Sequence, residues 1–286
     1  MSVDVTPFYD EATGTITYVV ADPSTGHCAV IDPVLDYDAS SGRTATAGAD
    51  TVAQFIVEQG HTVDWILETH VHADHMTGAC HLQGKFGGQR GIGAKIVAVQ
   101  RTFAEIFNLG ADFSSDGSQF DRLLEDDAEL SVGGLTLKVL HSPGHTPACV
   151  CYQVGDAVFT GDTVFMPDFG TARCDFPGGD ARTLFHSIRR ILALPPETRV
   201  FVGHDYGTKE RSPAWETTIA AERASNIHVR EDVSEVDFVA MREARDAELG
   251  YPKLILPSIQ VNIRGGKFPD PESNGVSYLK IPLNAL

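Results

Sequence analysis

The segment His70–His75, which reads His-Val-His-Ala-Asp-His, constrains this chain more than any other feature. The chain has 11 histidines in 286 residues, so three of them within six positions are hard to attribute to chance. Imidazole and carboxylate are common ligands of zinc and iron. The segment follows the largely apolar run Val63–Thr69, which predicts a strand, so His70 and His72 should project together from its end. We therefore predict a metal site, the alternative being histidines that are merely hydrogen-bonded in place.

Three further metal-type residues follow predicted strands later in the chain. Residues 135–140, 157–160 and 199–202 are short apolar runs, and each leads through a glycine to a candidate ligand. If these strands end at one edge of a sheet, their ligands meet there with those of the histidine-rich segment. The candidate ligands are His70, His72, Asp74, His75, His145, Asp162 and His204.

The remaining pattern alternates strands and helices without an internal repeat or a linker. A hairpin is predicted at 15–21 and 28–33, a further strand at 94–99, and surface structure near a pocket at 101–128. Helices are predicted at 49–59, from residue 77, and at 181–194, 213–226 and 236–249, the last opening with a capping pair, Ser234 and Asp237. We expect one domain over 1–286, with a helical and extended C-terminal region from about 211 to 286.

Charge and composition narrow the classes of partner. The formal net charge is −17, the pI is about 4.9, and 42% of the residues are hydrophobic. A nucleic-acid groove or an anionic membrane surface needs clustered Lys and Arg, so neither partner is expected. A local basic pocket for a small anionic substrate is still compatible with this charge.

Cysteine usage and the N-terminus bear on the cellular compartment. The five cysteines are odd in number, irregularly spaced and without a CxxC pair. A chain of this length needs no disulfide framework, so the thiols are expected to be reduced. Residues 1–5 lack a basic start, and no run of ~18 apolar residues occurs. We expect a soluble cytoplasmic protein, and a homodimer is compatible with the sequence.

Five blocks of sequence resemble the metallo-β-lactamase superfamily, and within it the persulfide (sulfur) dioxygenases and β-lactamase-hydrolase-like proteins. They are residues 69–78, 142–147, 159–162, 173–176 and 203–206. The resemblance implies an α/β fold, an αββα sandwich of two mixed sheets flanked by helices. Asp162, in a bridging position, is typical of glyoxalase II and its relatives rather than of true β-lactamases. Ala172 and Cys174 depart from the Gly and Thr common in the dioxygenases.

The resemblance implies two alternative metal centres. In a dioxygenase, His70, His145 and Asp162 would hold one iron(II) and leave positions open for a persulfide sulfur and O2. The reaction would oxidise glutathione persulfide to sulfite and release glutathione. His72, Asp74, His75 and His204 would then orient the ligands from outside.

The second centre is that of a zinc-dependent hydrolase of glutathione thioesters, the glyoxalase II type. There His70, His72 and His145 would bind one zinc ion. Asp74, His75 and His204 would bind another, and Asp162 would bridge the two. A non-catalytic sulfide or redox sensor that retains the site is a third interpretation.

Four residues near the motifs have open roles. Arg173 is a candidate for binding a glutathione carboxylate, or it forms an ion pair with a flanking acid. Cys174 is either a small buried side chain or a reactive thiol. Asp205 is expected to pair with Arg173 or with backbone N–H groups. Tyr206 is a candidate hydrogen-bond donor to substrate, or an aromatic side chain packed behind the strand end.

Overall fold

The computed structural model describes residues 3–111 and 113–285. Residues 1–2 and 112 lie outside the described residues. Residues 1–2 belong to the N-terminus that lacks a basic start, and residue 112 belongs to the predicted surface segment. The described strands are, in chain order, β1 (Asp4–Tyr9), β2 (Ile16–Ala21), β3 (His27–Ile31), β4 (Val34–Asp38), β5 (Arg43–Ala45), β6 (Thr62–Leu67), β7 (Met76–Thr77), β8 (Gln89–Gly93), β9 (Arg122–Leu124), β10 (Glu129–Val132), β11 (Leu135–His141), β12 (Val150–Val154), β13 (Ala157–Phe159), β14 (Arg199–Phe201) and β15 (Glu216–Thr218). The described helices are α1 (Ala47–Gln59), α2 (Ala79–Phe86), α3 (Ile96–Ile106), α4 (Ala181–Leu192), α5 (Ile219–Ser225), α6 (Glu235–Asp246) and α7 (Ile255–Asn262).

Two six-stranded sheets form the centre of the molecule. Their strand orders are β1-β2-β3-β6-β8-β9 and β10-β11-β12-β13-β14-β15, and both mix parallel with antiparallel neighbours. Alternation along β11 explains how they pack, since Leu135 and Leu137 are buried while Thr136 between them is exposed. Such inward side chains from both sheets form one apolar layer, in which Tyr18, Phe159 and Phe201 meet edge to face or stacked.

Helices cover the outer face of each sheet. On the first sheet, α1 and α2 bury Val52, Ile56 and Leu82 against outward residues of β2, β3 and β6. On the second sheet, α4 and α6 bury an apolar stripe that includes Ile188 and Phe238. The order of layers is therefore helix, sheet, sheet, helix, and the predicted αββα class is confirmed. No helix in the described ranges is both long and apolar enough to cross a bilayer.

A third, three-stranded sheet lies beside this sandwich. Its order is β5-β4-β7, so the hairpin of β4 and β5 pairs with the short strand that follows the histidine-rich segment. The hairpin thereby projects next to the ends of the main strands.

Residues 89–106 correct the sequence-based prediction. A strand was expected at 94–99, but the strand is β8, and residues 96–106 form α3. Ile96, Val99 and Phe103 are buried at helical spacing, whereas the β-branched run alone favours a strand. β8 has few apolar residues because it needs close packing: a Cβ at Gly93 would lie 2.4 Å from the Ala148 carbonyl oxygen.

The C-terminal region also differs from its prediction in detail. The helix expected at 213–226 begins with the edge strand β15, and only α5 is helical. The segment after residue 254 forms α7, which buries Ile255 and Ile259 against α3 residues. The predicted start of α6 is confirmed, since the Ser234 side chain accepts a hydrogen bond from the Asp237 backbone N–H.

We expect Ser234→Ala to lower the free energy of unfolding by about 1 kcal/mol, because the first turn of α6 loses its side-chain acceptor. The midpoint of urea unfolding measures this. Thr51→Ala is the matched control: Thr51 is exposed within α1 and donates to the Ala47 carbonyl of the same helix, so its removal should change stability by less than about 0.5 kcal/mol. An equal loss in both variants would show that the cap contributes nothing of its own.

Candidate metal centre

The candidate ligands lie in loops that leave the ends of four strands. β6 ends at Leu67, three residues before His70, so the segment that carries the histidines is a loop and not the strand end that was predicted. His145 follows β11, Asp162 follows β13 and His204 follows β14. Because these strands end on the same side of the two sheets, the loops meet there.

One group of ligand atoms comes from His70, His145 and Asp162. These atoms lie within 4.8 Å of one another. The Asp162 carboxylate is 3.9 Å from His70 Nε2 and 3.7 Å from His145 Nε2. These distances exceed those of hydrogen bonds, and they leave a position between the three side chains.

Hydrogen bonds behind this group orient its donor atoms toward the position between the three side chains. His145 Nδ1 lies 2.8 Å from the Arg173 carbonyl oxygen, which makes Nδ1 the protonated nitrogen and leaves the Nε2 lone pair free. His70 Nε2 and Asp162 Oδ1 are buried without a hydrogen-bond partner among the described residues. Buried polar atoms are seldom left unpaired, so these donors fit a metal ion.

A second group consists of His72, Asp74 and His75, whose ligand atoms also lie within 4.8 Å of one another. His75 Nδ1 is 3.0 Å from the Met76 carbonyl oxygen, so its Nε2 faces inward. His75 Nε2 and His72 Nδ1 are again buried and unpaired among the described residues. His204 lies between the two groups, with Nε2 3.3 Å from Asp74 and 3.4 Å from Asp162.

Burial sets the protonation of two of these imidazoles. Desolvation, helped by the neighbouring His72, lowers the pKa of His70 well below its usual value and that of His75 to about 4. Both rings are therefore neutral at physiological pH, which is the state that binds metals. Burial raises the pKa of Asp74, but the adjacent His204 and His75 outweigh it and hold that pKa below its usual range.

The buried carboxylate of Asp32 holds the histidine loop in place. It accepts hydrogen bonds from the Thr69 N–H and the Thr69 hydroxyl, both at 2.7 Å, and contacts His72 Nε2 at 3.0 Å. Glu68 approaches the same nitrogen at 3.3 Å, so Nδ1 of His72 is the atom left for a metal. No sequence motif marks Asp32 as part of the centre, although it forms an Asp-Pro pair directly after β3.

Gly161 lets the Asp162 loop approach the histidine loop. Its φ is +46°, and a Cβ there would lie 2.3 Å from Thr69 Oγ1. A larger residue would be strained and would push Asp162 away from His70.

Asn262 supports the histidine loop from the C-terminal region. Its side-chain amide donates to the carbonyl oxygens of His72 and His75, both at 2.8 Å, and accepts from the Thr77 N–H at 2.9 Å. Asn262 is 4% exposed, so water does not compete with these bonds. No sequence motif had identified it.

An ion pair on α6 supports the His145 side of the centre. Asp246 accepts from the Cys174 N–H at 2.8 Å and from Arg242 at 2.6 and 2.9 Å, and Arg242 also donates to the Thr171 carbonyl. These contacts hold the backbone on both sides of Arg173, whose carbonyl orients His145. This pair was also missed.

Arg173 and Cys174 do not lie free in the centre. The Arg173 guanidinium forms two hydrogen bonds of 2.5 Å with Asp175 and a third with the Gly250 carbonyl, which is the ion pair predicted as one of its two roles. Cys174 is 7% exposed, and burial raises the pKa of its thiol well above the usual value. The thiol is therefore protonated, and a lowered pKa, which reactivity would need, is not found.

Asp205 and Tyr206 flank His204 in different ways. Asp205 is fully buried and pairs with Arg211 and the Ala214 N–H, so of the two partners expected for it the backbone N–H is found and Arg173 is not. Tyr206 is 57% exposed, and its ring lies almost parallel to that of His204. Tyr206, Asp74 and His75 line a groove with a volume of about 890 Å³.

Three relatives with curated names cover between 69% and 99% of this chain. The chain is 53% identical over 289 residues to a probable metallo-hydrolase of Burkholderia pseudomallei, covering 98% of both proteins. It is 52% identical to a beta-lactamase hydrolase-like protein of Xylella fastidiosa, of which it spans 65%. It is 31% identical to human mitochondrial persulfide dioxygenase ETHE1, covering 69% of this chain and 66% of the human protein.

A solved structure and a family profile agree with the geometry. The crystal structure of ETHE1 from Myxococcus xanthus superposes with a TM-score of 0.73 at 29% identity, covering 92% of this chain and all of that one. The profile of the metallo-beta-lactamase superfamily matches residues 12–204, the range that contains every candidate ligand. With its αββα layers and its His/Asp cluster at the strand ends, the chain belongs to the metallo-beta-lactamase superfamily.

Proposed function

We propose that this protein is an iron(II)-dependent dioxygenase that oxidises glutathione persulfide. In the balanced reaction the persulfide, O2 and water give glutathione, sulfite and two protons. The sulfur–sulfur bond breaks, the outer sulfur is oxidised to sulfite, and O2 is reduced. Iron is the group that the reaction requires, because ground-state O2 does not attack closed-shell sulfur readily.

The observation that carries the proposal is the convergence of His70, His145 and Asp162. Two imidazoles and one carboxylate on one side of a point are the ligand set of non-haem iron(II) oxygenases. When bound there, iron(II) would supply open coordination positions for a sulfur ligand and O2. The similarity to persulfide dioxygenase ETHE1 and to the Myxococcus structure supports the same assignment.

The chain's own residues would position and orient this chemistry. His145 is held by the Arg173 carbonyl and His70 by Thr69 Oγ1 at 3.1 Å, so neither ring can turn without losing a contact. Tyr206 lines the groove beside Asp74 and His75, where its hydroxyl would donate a hydrogen bond to a bound substrate. His72, Asp74, His75 and His204 would act through the ligands rather than on the substrate.

The second group of donors favours one alternative, a zinc-dependent hydrolase of glutathione thioesters. His72 Nδ1 and His75 Nε2 are unpaired in the same manner as His70 Nε2, as two metal positions would require. The name of the Burkholderia relative, a probable metallo-hydrolase, agrees with this alternative. Metal content and substrate together separate the two reactions.

We expect protein made in iron-replete medium to contain about one iron per chain and to consume O2 with glutathione persulfide, because the triad holds one ion. Metal analysis by mass spectrometry and an oxygen electrode measure the two quantities. Two zinc ions per chain, no iron, and hydrolysis of S-lactoylglutathione would instead establish the hydrolase.

His145→Ala and Asp162→Ala should reduce the iron content to below about a tenth of wild type, since each removes one of three ligands. His204→Ala should lower activity while most iron remains. His186→Ala is the matched control, because His186 is 63% exposed on α4 and its Nε2 lies beside Glu235 rather than a candidate ligand. Equal metal loss in the His145, Asp162 and His204 variants would argue for a dinuclear centre.

Asp246→Asn should weaken iron binding about tenfold, because the backbone that carries the Arg173 carbonyl loses its anchor. A chelator competition measures the affinity. The variant also leaves Arg242 buried without its partner, which by itself costs stability.

The double variant Arg242→Met/Asp246→Leu separates these two effects. Removing both charges restores an apolar interior but not the hydrogen bonds to Cys174 and Thr171, so the protein should stay folded and still bind iron weakly. Wild-type affinity in a stable double variant would mean that the ion pair does not position His145.

A further inference from the structure

The groove beside the metal centre has walls from three separate segments. One wall is the turn after β1, at residues 10–13; another is the hairpin of β4 and β5; the third is Pro252–Leu254, just before α7. Asp74 and His75 line the same groove. The groove therefore opens beside Asp74 and His75 of the centre, and a substrate held in it would have atoms among these three segments.

The acidic side chains of the groove walls already accept hydrogen bonds from other residues of the protein. Asp10 accepts from the Thr13 N–H and hydroxyl, both at 2.8 Å. Asp36 accepts from the Gly48 N–H at 3.1 Å, and Asp38 accepts from Ser40 and Ser41. These carboxylates close turns and cap a helix, so they have structural partners.

The two cationic side chains of the groove have no such partners among the described residues. Arg43 on β5 and Lys253 before α7 both line the groove and are exposed. Their side chains form no hydrogen bond or ion pair with any residue in 3–111 or 113–285. Asp38 lies opposite Arg43 in the hairpin, yet its carboxylate binds Ser40 and Ser41 instead. Arg43 and Lys253 are thus available to a ligand.

The guanidinium of Arg173, by contrast, already has hydrogen-bond partners. Its guanidinium is bound by both oxygens of Asp175 and by the Gly250 carbonyl. In a chain of net charge −17, unpaired cations beside the metal centre are not explained by an excess of basic residues.

We propose that Arg43 and Lys253 form a carboxylate-binding subsite that selects substrates carrying negative charge away from the reacting sulfur. This inference rests on the proposed function for the position of the sulfur. Glutathione, with a carboxylate at each end of the tripeptide, fits this chemistry, whereas thiols whose non-sulfur part is uncharged do not. The β4–β5 hairpin is then a specificity element, and not only a cover for the fold.

The first test measures binding without turnover. Isothermal titration calorimetry compares glutathione with glutathione diethyl ester, in which both carboxylates are blocked, on metal-loaded protein under anaerobic conditions. We expect wild type to bind glutathione about tenfold more tightly than the ester, the sum of two solvent-exposed charge-assisted contacts. Arg43→Gln/Lys253→Gln should reduce this ratio to below about two.

The matched control is Lys95→Gln/Arg101→Gln. Both residues are exposed cations outside the groove, and the double variant changes the net charge equally. It should retain the wild-type ratio. If wild type binds both ligands equally, or if the groove variant keeps the ratio, no carboxylate subsite exists at Arg43 and Lys253. If the control loses the ratio as well, the preference is a long-range effect of net charge and the proposal fails.

A second measurement separates this inference from the proposed function. KM for glutathione persulfide, measured by O2 consumption, should rise about tenfold in Arg43→Gln/Lys253→Gln while kcat changes less than about twofold, since uniform binding is lost. If no persulfide is oxidised but the binding ratio behaves as expected, the dioxygenase assignment fails and the subsite stands. Oxidation with an unchanged KM and ratio would refute the subsite alone.

Discussion

The interaction on which the rest of the site depends is the burial of the Asp32 carboxylate beneath the histidine loop. A buried charge is costly unless donors surround it, and here the Thr69 N–H, the Thr69 hydroxyl and His72 do so. Asp32 itself has φ of +49°, an uncommon conformation that these contacts maintain. By fixing Thr69, Asp32 also determines how closely Gly161, and hence Asp162, can approach.

The chemistry of the centre was predictable because its signals are local in the chain. Each candidate ligand stands just after an apolar run, and the order of those runs was enough to expect the ligands at one sheet edge. The layered fold followed from the resemblance carried by the same residues. Prediction failed at β8, because the close packing at Gly93 requires glycine and the strand has almost no apolar pattern. It also failed at α3, because its β-branched run has the composition of a strand.

The supports of the ligands were not predictable for the opposite reason. Asp246 contacts Cys174 across 72 residues, and Asn262 contacts His72 across 190. Neither residue type nor local spacing marks such a contact, because an isolated Asp or Asn on a helix usually faces solvent. The match to the superfamily profile ends at residue 204, before both of them. The region that the profile covers is therefore smaller than the region that supports the ligands.

The dependence on Asn262 has a consequence for biosynthesis. A chain leaves the ribosome from its N-terminus, and the strands that carry the ligands can pair before residue 262 has emerged. At that stage the carbonyl groups of His72 and His75 lack the amide that later binds them. Until α7 docks, the histidine loop lacks the support that Asn262 gives it. Loading with metal should accordingly be a late, post-translational event, and a ribosome-bound fragment that stops before α7 should bind the ion poorly.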